Sequence, residues 1–438
     1  MQVKAVKFGG SSLADAEQFR RVYDIIKAEP ARRYVVASAP GKRFPDDTKV
    51  TDMLYACYDM AVAGLEFDIF FDGIKARFDA IITGLGLSLD LSDEYEAIKT
   101  SFRRGAGRDF AASRGEYLNS VILANYLGYD LIDAAEVIFF RDDGSFDDER
   151  TYRTLASALR MHERAVIPGF YGSMPNYTVK TFSRGGSDVT GAVVARSANA
   201  DIYENWTDVS GFLMADPRIV DDPLGIKTVT YRELRELSYM GAGVLHEDSV
   251  FPVRETGIPI NIRNTNRPGD DGTMIVAGTD VYDHDHIITG IAGKKNFSVI
   301  RIDKDRMAYQ RGMLHRIVEI LDYNGVHAEH IPSGIDTMSI VAHTEELAGK
   351  YDIITGSITR AVKPDYMVIE DGLALIAVVG RGMVGSPGVA ARVFDALARA
   401  GINVRMMDQG ACELNIIIGT AADDFEDAVR AIYAEFVK

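Results

Sequence analysis

Residues Lys180 to Asp201 read KTFSRGGSDVTGAVVARSANAD, a short β-prone run followed by a glycine turn and a helix. Glycine lets the turn SRGG (183–186) pass close to a bound group, and Ser187 and Asp188 then begin an amphipathic helix. Backbone N–H groups and the helix dipole at such a start favour an anion, of which phosphate fits best. The alternative is a strand, a turn and an ordinary helix, because Ser and Asp are common capping residues.

A second strand, turn and helix of this kind begins the chain. The segment VKAVKFGGSSLADAEQ (3–18) predicts a buried strand, a turn at Gly9 and Gly10, and a helix. Lys7 ends that strand, where a lysine can reach a phosphate as a point charge. The later loop APGKR (39–43) resembles a P-loop only superficially, because the motif's first glycine and the Ser or Thr after the lysine are missing.

Apolar strands alternate with helices from the N-terminus to about residue 215, which predicts an α/β fold with a parallel sheet. Residues 131–140 (LIDAAEVIFF) and 164–173 (RAVIPGFYGS) are expected as buried strands. Residues 113–130 predict a helix that carries Glu116 near its N-terminus. Further on, Thr207, Asp208 and the turn Asp216-Pro217-Arg218 follow a strand, where open α/β sheets bind ligands; ordinary turn chemistry is the alternative.

Composition excludes several classes of protein. The chain has 438 residues, which predicts two or three domains, and its formal charge of −16 argues against nucleic-acid binding. No run of about 18 apolar residues predicts a membrane span, and no signal peptide is evident, so a cytoplasmic protein is expected. The two cysteines, Cys57 and Cys412, have no metal-ligand spacing, so no metal site is predicted. His246, which has no other histidine near it in the sequence, is expected to be structural.

The pattern changes near residues 278–286 (GTDVYDHDH), after which two βαββα units of about 75 residues follow one another. The predicted domains are therefore residues 1–280, 290–369 and 370–438. Each unit includes two consecutive strands, such as VHAEHIPS (326–333) and TMSIVAH (337–343). The second unit contains GRGMVG (380–385), which matches the dinucleotide motif GxGxxG, but the short turn between INVRMMD and ELNIIIG predicts an antiparallel hairpin.

The motifs KFGGSSLAD, SRGE, FSRGGSDVTG and TDVSGFLMADPR, together with the two terminal repeats, resemble those of aspartate kinases in order and spacing. The resemblance covers nearly the whole chain and is to the monofunctional enzymes without a fused homoserine dehydrogenase. It implies a three-layer amino-acid kinase domain with a mainly parallel sheet, followed by two α+β ferredoxin-like ACT repeats. It also implies transfer of the ATP γ-phosphoryl group to the side-chain carboxylate of L-aspartate with Mg²⁺, towards lysine, threonine and methionine.

The resemblance also implies site residues. The catalytic residues would be Lys7, Gly9, Gly10 and Asp188, with the N–H groups around both glycine turns facing phosphate. L-aspartate would be bound by Thr51, Glu116, Arg184 and Ser187. In this assignment Arg184 grips the α-carboxylate, and Glu116 and Asp188 face the ammonium group. The nucleotide would be bound by Lys7, Gly185, Gly186, Thr207, Asp208 and Arg218.

An amino-acid effector, lysine or threonine, would bind the ACT repeats, and the same repeats would form a homodimer or a higher homo-oligomer. The effector residues implied by the resemblance are Met307, Gln310, Met313, Leu314, Ser333 and Asp336.

Two positions depart from the family pattern. Gly243 and Leu213 replace a lysine and a tyrosine that many relatives place near the nucleotide. They motivate an alternative function, a catalytically silent amino-acid-binding regulator. A dehydrogenase is the third hypothesis and depends on GRGMVG alone.

Overall fold

The computed structural model describes residues 2–183, 185–243, 245, 247–278 and 286–437. The chain forms two compact units. The first comprises Met1–Phe212, Gly225–Tyr231 and Gly243–Thr279. The second comprises Leu213–Leu224, Arg232–Ala242 and Asp280–Lys438. The sequence predicted one division near residue 280, whereas two short segments from the earlier part of the chain also pack with the second unit.

The described residues of the first unit form ten strands. In chain order they are β1 (Lys4–Phe8), β2 (Arg32–Ala37), β3 (Asp130–Leu131), β4 (Ala165–Pro168), β5 (Tyr171–Ser173), β6 (Val179–Thr181), β7 (Ile202–Thr207), β8 (Thr228–Thr230), β9 (Ile260–Asn264) and β10 (Thr273–Val276). Eight of them form one sheet in the order β3-β4-β2-β1-β7-β9-β10-β8. Every pairing in this sheet is parallel except β9 with β10, so the predicted mainly parallel sheet is confirmed.

The helices up to residue 254 are α1 (Ala16–Ala28), α2 (Val50–Val62), α3 (Asp68–Leu85), α4 (Ser92–Arg103), α5 (Arg108–Leu127), α6 (Ala134–Val137), α7 (Asp148–Met161), α8 (Gly186–Ser197), α9 (Tyr231–Tyr239) and α10 (Phe251–Arg254). All but Tyr231 of α9 belongs to the second unit. On β1, Val6 and Phe8 point into a core shared with α1 to α5. Lys7 points to the opposite face and contacts α8. Helices therefore cover both faces of the sheet.

The prediction of a buried strand over residues 131–140 was wrong. Only Asp130 and Leu131 pair as a strand, and the four-residue helix α6 follows. Asp133 is the reason, because its side chain accepts a hydrogen bond from the N–H of Ala135 and caps the helix.

Within residues 286–437 the second unit forms five strands and five further α-helices. The strands are β11 (Gly290–Asp303), β12 (Thr337–His343), β13 (Tyr366–Val379), β14 (Met406–Asp408) and β15 (Asn415–Ala421). The helices are α11 (Met313–Tyr323), α12 (Thr344–Leu347), α13 (Tyr351–Val362), α14 (Val389–Arg399) and α15 (Phe425–Phe436). All strands join one antiparallel sheet in the order β12-β11-β13-β15-β14. The predicted α+β class is confirmed.

The two longest strands, β11 and β13, join the two sequence repeats into one sheet. Residues Gly290 to Lys294 pair with Val379 to Leu375, and Phe297 to Asp303 pair with Leu373 to Tyr366. The first half of β11 therefore lies beside strands of the second repeat. The predicted boundary between residues 369 and 370 falls inside the continuous strand β13.

The expected strand over residues 326–333 is reduced to isolated bridges from His330 to Val341 and from Ser333 to Met338. Pro332 accounts for the break, because proline has no N–H group to donate to a neighbouring strand. By contrast, β14 and β15 form the predicted antiparallel hairpin. Because a dinucleotide fold needs a crossover between parallel strands, GRGMVG is not such a site. Among the helices within the described ranges, none combines the length and apolarity needed to span a bilayer.

One close backbone contact in the first unit joins the loop after β1 to the loop after β2. The Gly41 N–H donates to the Gly10 carbonyl at 2.8 Å. A Cβ atom at Gly41 would lie 2.6 Å from the Gly10 carbonyl carbon, so only glycine fits there. The buried Arg77 fixes the second loop by donating to the Gly41 carbonyl and to Asp47, both at 2.9 Å. The glycine of the rejected APGKR motif is therefore a packing residue.

We expect Gly41→Ala to lower the free energy of unfolding by about 1 to 3 kcal/mol, because the added methyl group overpacks against the Gly10 loop. Thermal and denaturant unfolding would measure this change. Gly269→Ala is the matched control, since Gly269 faces open space. Equal stability of the two variants would contradict the close contact.

Candidate active site

A cavity of about 240 Å³ lies at the carboxyl ends of β1 and β2, beside the start of α8. This edge of a parallel sheet is where open α/β folds bind ligands. The cavity is lined by Lys7, Ser38, Thr51, Glu116, Phe170, Gly185, Gly186, Ser187 and Asp188. Seven of these nine residues were predicted from the sequence, and the most distant two, Lys7 and Asp188, are 181 positions apart.

Among the described residues that line the cavity, Lys7 is the cation. It is only 7% exposed, and its Nζ lies 2.6 Å from Asp188 Oδ1 and 3.4 Å from Asn205 Oδ1. Asn205 also donates from Nδ2 to Asp188 Oδ1 at 2.8 Å. The lysine is therefore held at the cavity wall by one carboxylate and one carboxamide.

The start of α8 provides the anion-binding geometry expected from the sequence. Gly185 has a φ of 57°, a left-handed conformation that glycine adopts without strain. Its carbonyl accepts hydrogen bonds from the N–H groups of Asp188 and Val189. The preceding N–H groups of Gly186 and Ser187 belong to the first turn, where no intrahelical acceptor exists. They line the cavity together with the positive end of the helix dipole.

The first glycine turn differs from the prediction in one respect. The Gly9 N–H donates to the Trp206 carbonyl at 2.9 Å, so it cannot also bind phosphate. The N–H groups of Gly10 and Ser11 come next, and neither donates to a backbone or side-chain acceptor within the described parts of the chain. None of these three residues is among those that line the cavity, so the phosphate-binding role predicted for Gly9 and Gly10 stays a prediction.

Glu116 is a buried carboxyl group on α5 that lines the cavity. It is 6% exposed, and its Oε2 atom has no hydrogen-bond partner among the described residues. Burial raises the pKa of Glu116 to about 8, and the backbone N–H of Ala39 opposes this shift only in part. A buried, unpaired carboxyl in a cavity is suited to bind a cation such as an ammonium group.

The remaining predicted substrate residues divide into two groups. Thr51, on the first turn of α2, and Ser187 line the cavity with Glu116. Arg184 lies outside the described residues, as does His246, so the roles predicted for them stay predictions.

The predicted nucleotide residues lie in both units. Thr207 ends β7, and its hydroxyl donates to Asp208 at 3.1 Å. Trp206 is the register partner of Phe8 on the neighbouring parallel strand. Thr207 and Gly9 come next on their strands, so they lie at the same edge of the sheet. Arg218 belongs to the segment Leu213–Leu224 of the second unit and is 86% exposed in its side chain. Its guanidinium forms an ion pair with Asp216 at 2.6 Å.

The two segments predicted to bind an effector are brought together in the second unit. The Ala308 N–H donates to the Ile335 carbonyl at 3.0 Å, and the Lys304 N–H donates to the Asp336 carbonyl at 2.8 Å. Exposed side chains from the predicted set are Gln310, Leu314, Ser333 and Asp336. Met307 and Met313 are instead buried in the core beneath β11 and β12, and the effector role predicted for them stays a prediction.

Sequence reasoning missed Ser38 and Phe170 in the cavity and Asn205 beside Lys7. Ser38 directly follows the apolar strand β2, a position that could have indicated the sheet edge. Asn205 is one of two consecutive polar residues, Glu204 and Asn205, that are buried in β7, and polar residues in a predicted buried strand could have drawn attention to it. Phe170 has a φ of 81°, which nothing in the sequence indicates.

Comparison with known proteins agrees with this geometry. The model of the amino acid kinase family matches residues 2–264, and an ACT domain model matches residues 376–436. Aspartokinase 3 of Bacillus subtilis is 35% identical over 450 residues, covering 99% of this chain and 98% of that protein. The chain belongs to the aspartokinase family. Enzymes of this family are aspartate kinases, which are ATP-dependent phosphotransferases.

Solved aspartokinase structures share the fold. The aspartate kinase of Clostridium acetobutylicum, described as an allosteric enzyme, is 49% identical and has a TM-score of 0.92, with 100% of this chain and 99% of that chain covered. Aspartokinase III of Escherichia coli, solved with aspartate and ADP, is 24% identical with a TM-score of 0.74, and both chains are fully covered. At that identity the likeness concerns the fold alone.

Proposed function

We propose that this chain transfers the γ-phosphoryl group of Mg-ATP to the side-chain carboxylate of L-aspartate, giving 4-phospho-L-aspartate and ADP. This reaction would be the first step towards lysine, threonine and methionine. The observation that carries the proposal is the convergence of Lys7, the α8 amides and the unpaired Glu116 on one small cavity. Full-length similarity to an aspartokinase supports it.

The proposed chemistry needs no general base. The side-chain carboxylate of aspartate, with a reference pKa of about 3.9, is already an anion at neutral pH. The obstacle is repulsion between this anion and the phosphoryl group. Positive charge and in-line positioning therefore supply the catalysis. Lys7 would provide a full charge, and the N–H groups of Gly10, Ser11, Gly186 and Ser187 would provide aligned dipoles.

The two charged groups at the α-carbon of aspartate would be bound by residues of opposite charge. Glu116 would bind the ammonium group of aspartate, and Arg184 would bind its α-carboxylate through a bidentate fork. Asp188 is already paired with Lys7, so we assign it to holding that lysine and only secondarily to the ammonium group. Mg²⁺ would arrive with the nucleotide and neutralise phosphate charge. Thr207, Asp208 and Arg218 remain the proposed nucleotide residues.

We further propose that an amino acid, lysine or threonine, inhibits the enzyme by binding the ACT repeats. The allosteric character of the C. acetobutylicum relative supports this. Inhibition requires that the ligand bind the inactive arrangement more tightly than the active one. Exposed apolar side chains near the effector segments, including Tyr309 and Ile335, support assembly into a homodimer or larger homo-oligomer through this unit.

We expect ADP release from Mg-ATP to depend on L-aspartate, and hydroxylamine to trap the acyl phosphate as a hydroxamate. Lys7→Met should lower kcat at least a hundredfold because it removes the charge facing the phosphoryl group. Lys4→Met is the matched control, since Lys4 lies on the same strand but pairs with Glu29 and Glu204. Effector binding without turnover would instead support the silent regulator, and turnover of glutamate alone would indicate a different amino-acid kinase.

The raised pKa of Glu116 predicts proton release on aspartate binding. With a pKa of about 8, free Glu116 is largely protonated at pH 7, and pairing with an ammonium group favours its ionised form. Binding should therefore release close to one proton at pH 7 and fewer above pH 8.5. Calorimetry in buffers of different ionisation enthalpy measures this number. Glu116→Gln should abolish the release, whereas the exposed Glu66→Gln should retain it; release by both variants would argue against Glu116 as the ammonium site.

We expect lysine or threonine to inhibit ADP release, and Ser333→Ala or Asp336→Asn to raise the inhibitory concentration at least tenfold. The reason is that both side chains are exposed on the second effector segment, which is hydrogen-bonded to the first. Titrating each amino acid into the ADP assay measures the effect. Asp322→Asn, at an exposed position near the end of α11, is the control. Unchanged inhibition in both variants would place the effector elsewhere.

A further inference from the structure

Asn205 contacts both partners of the central ion pair, although it does not line the cavity. On the neighbouring parallel strands β1 and β7, Lys7 and Asn205 are register partners, so their side chains project from the same face of the sheet. Both are buried, with 7% and 4% of their surfaces exposed. This face of the sheet packs against α8, which carries Asp188.

The three side chains form a closed triangle. Lys7 Nζ lies 2.6 Å from Asp188 Oδ1, Asn205 Nδ2 donates to the same oxygen at 2.8 Å, and Lys7 Nζ donates to Asn205 Oδ1 at 3.4 Å. The carboxamide is oriented by these contacts, because its NH₂ group must face the carboxylate and its oxygen must face the ammonium group. A carboxylic acid or a hydrocarbon of similar size cannot provide both contacts at neutral pH.

A second residue of β7 fixes the backbone beneath Asp188. The hydroxyl of the fully buried Tyr203 donates to the Asp188 carbonyl at 3.1 Å. Tyr203 and Asn205 are two positions apart on the strand, so they share the face that meets α8. The strand β7 therefore holds both the backbone and the side chain of Asp188.

We propose that Asn205 is a positioning residue for phosphoryl transfer, a role that rests on the proposed function. Its NH₂ group holds Asp188 Oδ1 and shares the negative charge of that oxygen. Lys7 is thereby tethered at the cavity wall without being fully neutralised. Without the carboxamide, Asp188 is free to rotate with Lys7, and the ammonium group leaves the orientation in which it faces a phosphoryl group.

Asn205→Asp provides the decisive experiment, because it replaces an NH₂ donor with a titratable oxygen at constant shape. At low pH the two neighbouring carboxyl groups share one proton, which imitates the carboxamide's donation to Asp188. At high pH both are ionised, and the added charge neutralises Lys7 and repels phosphate. The described charged or titratable groups that face this position are Lys7 on β1, Asp188 on α8, Tyr203 on β7, and Glu116 across the cavity on α5.

We expect kcat of Asn205→Asp to lie within about fivefold of the wild type at pH 6 and to fall at least a further tenfold, relative to the wild type, by pH 8.5. Using the ratio of variant to wild type removes the titration of Glu116, which both proteins share. The KM for aspartate should change by less than about twofold, because Asn205 does not line the cavity. Asn199→Asp, an exposed site after α8, makes the same chemical change as a control.

Asn205→Leu tests the role independently of the acid. We expect a kcat about tenfold lower at every pH, with the KM for aspartate again nearly unchanged, since the donor is lost and the volume is kept. Melting curves at each pH check that both variants are folded. A flat ratio for Asn205→Asp between pH 6 and 8.5, or a kcat for Asn205→Leu equal to the wild type, would overturn the proposal. Absence of aspartate-dependent ADP release by the wild type would instead refute the proposed function.

Discussion

The site is built around the ion pair between Lys7 and Asp188. This pair joins the central strand β1 to the first turn of α8, and it is largely shielded from water. Removing one partner of a buried pair costs about 3 to 5 kcal/mol, because the other charge is left unpaired. The pair therefore fixes where the amides of α8 point relative to the sheet edge. The other residues that line the cavity surround this ion pair.

Near the site, two loops contact each other through their backbones, at a place with no room for a side chain on Gly41. The loops after β1 and β2 approach until Gly41 donates directly to Gly10, and Arg77 holds the second loop from behind. Such contacts hold the two loops together at the end of the sheet where the cavity lies. Glu116, in contrast, is buried, and its Oε2 atom has no hydrogen-bond partner among the described residues. A protein tolerates such a cost where a ligand supplies the missing partner, and perturbed carboxyl groups accordingly concentrate at functional sites.

The fold was largely predictable because it follows from periodic patterns. Apolar runs separated by glycine turns gave the parallel sheet, and the short turn before ELNIIIG gave the hairpin that excludes a dinucleotide site. The apolar pattern predicted strands that do not form at two places. At Asp133 the side chain caps a helix instead, and at Pro332 the missing N–H group interrupts the strand. Apolarity alone could not show that Met307 and Met313 belong to the core.

Residues that line the cavity could be predicted where they belong to a sequence motif. Those that reach it only through the tertiary structure could not. Lys7 and Asp188 stand beside glycine turns that are visible in the sequence. Asn205 acquires its importance from a register with Lys7 that spans 198 positions, and no local pattern encodes that pairing. Phe170 reaches the cavity through a left-handed backbone conformation that its residue type does not favour.

The continuous strands β11 and β13 have a practical consequence for anyone dividing the chain. A fragment starting at residue 370 would lack residues 290–294, which cover one side of β13. Its exposed N–H and C=O groups would form an open edge ready to recruit another polypeptide. The second unit should therefore be produced with β11 and β13 together, and with the segments Leu213–Leu224 and Arg232–Ala242 that belong to it.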